Sequence, residues 1–193
     1  MALRAKTQIQ ISEADYFRLE EVSEFRSEYV SGFVYGMAGG TDSHIQISFN
    51  LTRIIAEKLR GKCRAYQSEM KVRVEDADAG AFYYPDVTVV CGDQQFYKSR
   101  RDVILNPTLL VEVLSESTQE YDKNDKFFAY QKIESFKEYL LVSQRKHAVQ
   151  QYVRQANGHW KIQASIGINS SVYLESVDLE VPMGEIYDLV EIE

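Results

Sequence analysis

Apolar positions along the chain change period several times, and each change marks a predicted element. Ser12, followed by acids at Glu13 and Asp15 where a helix dipole favours them, predicts a short helix over roughly Ser12 to Glu20. The stretch SEYVSGFVYGMAGG sets aromatic and β-branched residues on either side of Ser31–Gly32, the pattern of a hairpin. Thr41, Asp42 and Ser43 offer N-caps to a long helix ending near Gly61. Its helical-period face runs through Ile45, Phe49, Thr52, Ala56 and Leu59, widened by Ile47, Leu51, Ile54 and Ile55.

Cys63 to Val74 alternates as a strand, and EDADAG reads as a turn. Phe82 to Cys91 is a second strand, with a proline near its start, where a missing N–H is tolerated. Thr108 to Leu114 is an apolar run broken only by Glu112, as in a strand buried on both faces. SESTQEYD caps a helix from about Tyr121 to Ile133, and YLLVS, Tyr139 to Ser143, is the next strand. From Ala148 onward the chain is strand-rich, with turns at Asn157–Gly158 and Pro182. The order helix, three strands, helix, strand predicts an α/β (α+β) core with at least one parallel pair and a right-handed crossover. No repeat or linker interrupts it, so one domain is expected over residues 1–193. Its core spans about 41–143, with an N-terminal helix and hairpin over 12–40 and a β-rich extension over 148–193.

Composition changes this picture little. At 45% hydrophobic and 26% charged residues, the chain is globular in type. Cys63 and Cys91 are far apart in sequence and sit in apolar stretches, so they read as buried reduced thiols. No segment approaches the ~20 apolar residues of a membrane span, and the N-terminal stretch lacks the apolar core of a signal peptide, which points to the cytoplasm. The net charge of −7 runs against nucleic-acid binding unless basic residues cluster, as they do in Lys98–Ser99–Arg100–Arg101 and Arg145–Lys146–His147.

The candidate chemistry lies in acids placed where acids are costly. Asp86 sits in a strand of Tyr and Val, and Glu112 interrupts the apolar run 109–114; such charges need a partner or a metal. On the pleat, Glu112 shares a face with Leu110 and Leu114, and Asp86 shares one with Thr88, so on neighbouring strands the two carboxylates can converge. Two carboxylates plus waters suit octahedral Mg²⁺. On the following helix Phe127, Tyr130 and Ile133 define a core-facing side, on which Lys126 also falls, with Lys123 close to it and Asp122 and Asp125 towards the flank. Spacing alone leaves two readings open: a structural ion network, or a metal site with an ammonium beside the attacking water.

YYPDVTVV, LLVEVLSEST, YDKNDKFFAYQ and KEYLLV, in that order and preceded by SEYVSGFVYGMAGGTDSH, resemble the Uma2 family, formerly a domain of unknown function common in cyanobacteria. The resemblance extends over roughly Ser12 to Val190. That family is similar to the PD-(D/E)XK restriction-endonuclease-like superfamily. The resemblance therefore implies an αβββαβ core, with a mixed central sheet flanked by helices, and a site with Asp86 and Glu112 as ligands of Mg²⁺ or Mn²⁺. The superfamily's lysine two residues after the glutamate is here Leu114; the family pattern instead places a lysine on the next helix, matching Lys126, with Lys123 as the fallback. Glu28 and His44 also match the pattern. Glu28 is then a third acidic neighbour of the metal and His44 a proton carrier or hydrogen-bond partner, against a capping role for each. His147 and His159 read as surface residues.

The implied activity is hydrolysis of DNA phosphodiesters by a homodimer, with Val172–Tyr173–Leu174 among the segments able to serve the dimer. Two alternatives stand beside it: a catalytically weak or inactive member of the fold acting as a binding or assembly module, and a hydrolase of another phosphoester.

Overall fold

The structure, a computed structural model, describes residues 9–75, 80–116 and 118–192. Its centre is a six-stranded mixed sheet in the order β12-β11-β10-β9-β6-β3. These strands are β3 (Cys63–Gln67), β6 (Val87–Cys91), β9 (Leu109–Leu114), β10 (Glu138–Ser143), β11 (Ala148–Arg154) and β12 (Trp160–Ile166). β3, β6 and β9 pair antiparallel, while β9 and β10 are parallel from Leu109↔Glu138 to Leu114↔Ser143. The chain crosses between the parallel pair through the helical run 119–130. The mixed sheet and its parallel β9–β10 pair are those expected from the order of periodicities.

One face of this sheet packs on α2 (Asp42–Lys58), which is capped by Thr41 accepting from the His44 N–H. The buried side of α2 is Ile47, Leu51, Ile54 and Ile55, joined by Val87, Val89, Val111 and Val113. Ile45 and Phe49 point to solvent instead, which corrects the expected face: the sheet selected the stripe that had only seemed to widen it. The other face packs on α4 (Phe127–Tyr130) through Tyr139, Leu141 and Tyr152, with Phe127 against Tyr139, Tyr152 and Trp160.

A second six-stranded sheet has the order β2-β1-β5-β4-β8-β7. It contains β1 (Ser27–Val30), β2 (Phe33–Gly36), β4 (Lys71–Val74), β5 (Ala81–Tyr83), β7 (Phe96–Tyr97) and β8 (Arg100–Ile104). α1 (Glu13–Val22) covers its outer side through Tyr16 and Phe17. Ser31 and Gly32, both at positive φ, make the tight turn between β1 and β2. The hairpin β13 (Ser171–Leu174) and β14 (Leu179–Pro182), with α5 (Met183–Ile186), closes the α2 side.

Three expectations are corrected. Cys63–Val74 and Phe82–Cys91 are not two strands but four: each run leaves one sheet and enters the other, at the turn of residues 68–70 and at Pro85. Alternation reports a pleat, not which sheet the pleat joins. Cys63 and Cys91 are bonded to each other as a disulfide, because the antiparallel register of β3 and β6 sets them directly opposite, 4.1 Å apart at Cα. Val172 and Leu174 are buried in the α2 core, leaving Tyr173 as the only outward side chain of that trio. Residues 76–79 of the acidic turn expected over 75–80 lie outside the described residues. Among the described residues, no helix is long and apolar enough to cross a membrane.

Candidate active site

Register places the two strand acids together. Val87 pairs with Val111, so the next residue outward, Asp86, comes opposite Glu112. Asp86 sits not inside a strand, as its surroundings suggest, but in the bend just before β6. There its carboxylate accepts the Val113 N–H at 2.7 Å and faces His44 Nε2 at 2.9 Å. His44 stands in the first turn of α2, and a Cβ on Gly40 would come within 3.0 Å of its ring. A side chain there would press on the imidazole unless the ring gave by a few tenths of an ångström, so the glycine lets the loop lie close against it. Burial alone would lower the His44 pKa, but the hydrogen bond and charge of Asp86 raise it overall.

Glu112 is 3% exposed and meets the ammonium of Lys126, 6% exposed, at 3.1 Å. Lys126 also lies 3.1 Å from Glu28 and 3.3 Å from Asp122. Glu28, from the middle of β1, additionally accepts the Tyr84 N–H at 3.1 Å, and Tyr130 donates to Glu112 at 3.1 Å. Three carboxylates from three elements therefore enclose one ammonium. Burial would lower the Lys126 pKa, but Glu112, Glu28 and Asp122 overcome it and hold the group well above its ordinary value. One ammonium cannot neutralise all these acids. Burial, together with repulsion from Asp122, Asp86 and Glu28, pushes Glu112 well above the usual carboxylate range.

Asp122 was missed by sequence reasoning, which put it on the flank. The helical run is not regular: Gln119–Tyr121 (α3) gives way to a π-helical turn, Asp122–Lys126, before α4. The wider turn carries both Asp122 and Lys126 inward, with Asp122 buried, and Tyr139 Oη satisfies the Asp122 carbonyl at 2.9 Å. The available signal was the i,i+4 spacing of Asp122 and Lys126. Lys123 points elsewhere, into a neighbouring groove bounded by Arg145 and Lys146, so the fallback lysine is not brought to the acids.

The residues that are brought together border a pocket of about 460 Å³, walled on one side by residues 36–41 and Gln144. Among the described residues, no three of His, Cys, Asp and Glu converge as a ready-made metal cage. Asp86 and Glu112 nevertheless suit Mg²⁺, which keeps several waters and needs one or two carboxylates, and the surplus negative charge around Glu112 favours a cation. Of the two basic runs, Lys98 and Arg100 pair with acids of α1 and β8 and do not line this pocket, whereas Arg145 and Lys146 line the neighbouring groove. His159 is exposed, and His147 packs edge-on to Tyr187 with ring centres 4.9 Å apart.

Residues 13–183 match the Uma2 family, described as "Putative restriction endonuclease". The uncharacterized protein sll1609 of Synechocystis sp. (strain ATCC 27184 / PCC 6803 / Kazusa) is 30% identical over 173 residues, 89% of this chain and 96% of its own length. A second protein of that organism, slr1290, is 32% identical over 178 residues, 92% of this chain and 91% of its own. The crystal structure of "a putative nuclease belonging to DUF820" from Anabaena variabilis ATCC 29413 superposes with a TM-score of 0.75 at 15% identity. The match covers 94% of this chain and 99% of that one, and at such identity the shared feature is the fold.

Proposed function

The chain belongs to the Uma2 family, and from that premise we propose that it hydrolyses DNA phosphodiester bonds with a Mg²⁺ or Mn²⁺ ion held by Asp86 and Glu112. One observation carries this reading. Asp86, one residue beyond the last β6–β9 pair, and Glu112 line the same open pocket, with the buried Lys126 ammonium 3.1 Å from Glu112. An ion bound there would act as a Lewis acid on the phosphoryl oxygens and acidify a water.

The chain's own residues supply the rest. The Val113 N–H and His44 fix the Asp86 carboxylate, leaving it little rotational freedom. Glu28 and Asp122 keep Lys126 charged and immobile, so its ammonium adds fixed positive potential for the charge that builds on the transferring phosphoryl group. His44 offers an imidazole for proton movement at the pocket wall.

Lys126 being fully engaged by carboxylates favours a second reading, a structural ion network in a non-catalytic binding module. Magnesium titration and plasmid nicking by wild type, Asp86→Ala and Lys126→Ala distinguish the two. The nuclease reading expects nicking by wild type alone and loss of ion binding in Asp86→Ala. Wild type that neither binds the ion nor nicks DNA across a range of salt leaves the binding module standing.

A further inference from the structure

β12 is an edge strand whose two faces are treated differently. Gln163 and Ser165 turn to the C-terminal hairpin, where Gln163 reaches Glu175 at 3.4 Å and Ser165 donates to the Ser171 carbonyl at 2.8 Å. Ile162, Ala164 and Ile166 turn the opposite way and are exposed among the described residues, Ile162 at 58% and Ile166 at 74%. These three pair across to Tyr152, Gln150 and Ala148, so they form one apolar row on the same sheet face that carries the aromatic cluster of α4. The helical run covers only the Tyr152 end of this face. The remainder is the floor of a groove of about 500 Å³.

The walls of that groove are basic. Lys123, on the outer side of the π-helical turn, forms one wall; Arg145 and Lys146, from the β10–β11 turn, form the end. Against these three cations stands one acid, Glu116, which pairs with Arg145. This is a local positive excess in a chain of net charge −7. The groove adjoins the active-site pocket: Ser115, immediately after β9, borders both.

We propose that this groove holds the single-stranded nucleic acid flanking the bond that is cut. Phosphates lie along Lys123, Arg145 and Lys146, and bases or sugars lie on Ile162, Ala164 and Ile166. The proposal rests on the nuclease reading of the adjoining pocket and names the form of its substrate. A polyanion matches the charge of the walls, and continuity with the acids says which polyanion arrives there. The exposed isoleucines select a single strand: a duplex turns phosphates outward and hides its base faces, whereas a splayed strand offers them to an apolar floor. The arrangement also locates, in an acidic protein, the basic residues that phosphate binding requires.

The test is fluorescence anisotropy of a labelled 15-nucleotide DNA, single-stranded and as duplex, with EDTA present and salt varied. Wild type is compared with Lys123→Gln/Arg145→Gln/Lys146→Gln and with Ile162→Ser/Ile166→Ser, alongside Mn²⁺-dependent hydrolysis of bis-(p-nitrophenyl) phosphate, which is too small to reach the groove. Lys123 is half-buried and the other four side chains are exposed, and circular dichroism and Tm verify that the variants fold. Wild type is expected to prefer the single strand. The charge variant should bind it at least tenfold more weakly, with a salt slope smaller by about 2, three phosphates at ~0.7 each. The isoleucine variant should weaken binding with the slope retained, and both should hydrolyse the small diester normally. Equal strand binding by wild type and the charge variant overturns the groove while diester hydrolysis keeps the nuclease reading. Absence of both strand binding and hydrolysis in wild type removes the two together. An isoleucine variant that turns a dimer into a monomer with unchanged strand binding assigns the face to a second copy of the chain, and also overturns the proposal.

Discussion

The Asp122 carboxylate lies 3.3 Å from the Lys126 ammonium across a single π-helical turn, on the side of the helix that faces Glu112 and Glu28. The turn therefore delivers an acid and a base together to a site already rich in acid. Removing the base is far more damaging than removing one acid. Lys126→Ala leaves buried carboxylates without their counter-ion and is expected to cost about 3–5 kcal/mol in urea unfolding at pH 8. A loss below 1 kcal/mol would show that water already screens the cluster.

Glu112→Gln should do the opposite. The ionised Glu112 is disfavoured by burial and by Asp122, Asp86 and Glu28, and an amide keeps the shape without that charge. Its Tm is expected to equal or exceed that of wild type, while the rise in Tm that saturating Mg²⁺ gives wild type disappears. A variant that is both less stable and still stabilised by Mg²⁺ would take Glu112 out of the ion site.

Phe127 follows Lys126 directly and inserts its ring among Tyr139, Tyr152 and Trp160, at centroid distances of 5.7, 4.5 and 5.0 Å. Phe127→Ala should cost about 3–5 kcal/mol and reduce nicking as well, because the ring anchors the helix that presents Lys126. Full activity at a temperature well below the lowered Tm would separate anchoring from catalysis.

The disulfide links residues 28 apart on β3 and β6. Cys63→Ser/Cys91→Ser is expected to lower stability by about 3 kcal/mol through the freer unfolded chain, with metal binding unaffected, since the bridge lies at the end of β6 away from Asp86. Calorimetry with and without reductant measures this: wild type in reductant should match the double variant.

Asp102 is one source of acid sensitivity on the second sheet. Burial tends to raise its pKa, but the Arg100 guanidinium at 3.1 Å and the Lys71 ammonium at 3.0 Å lower it overall. A carboxylate lowered on folding adds stability above its unfolded pKa of about 3.9 and loses it as pH falls through the folded value. The Tm difference between wild type and Asp102→Asn should thus be constant near pH 6 and shrink below about pH 4. A difference that grew on acidification would reverse the assignment.

Much of this was already present in local sequence. The N-caps Ser12 and Thr41, the Ser31–Gly32 turn and the parallel β9–β10 pair follow from caps, positive-φ residues and periodicity, which act within a few neighbours. Asp86, Glu112 and Lys126 were legible as a group because a charge on an apolar stripe is costly wherever the chain goes. What tertiary structure decided depends on who the neighbours are. The two alternating runs each split between sheets; α2 turned Ile47 and Leu51 inward and Phe49 outward; Cys63 met Cys91 through strand register. Asp122 joined the site, and Lys123 left it, through one extra residue in a helical turn whose freed carbonyl is satisfied by Tyr139, far along the chain. Periodicity fixes which residues of an element share a face, but only packing chooses what that face meets.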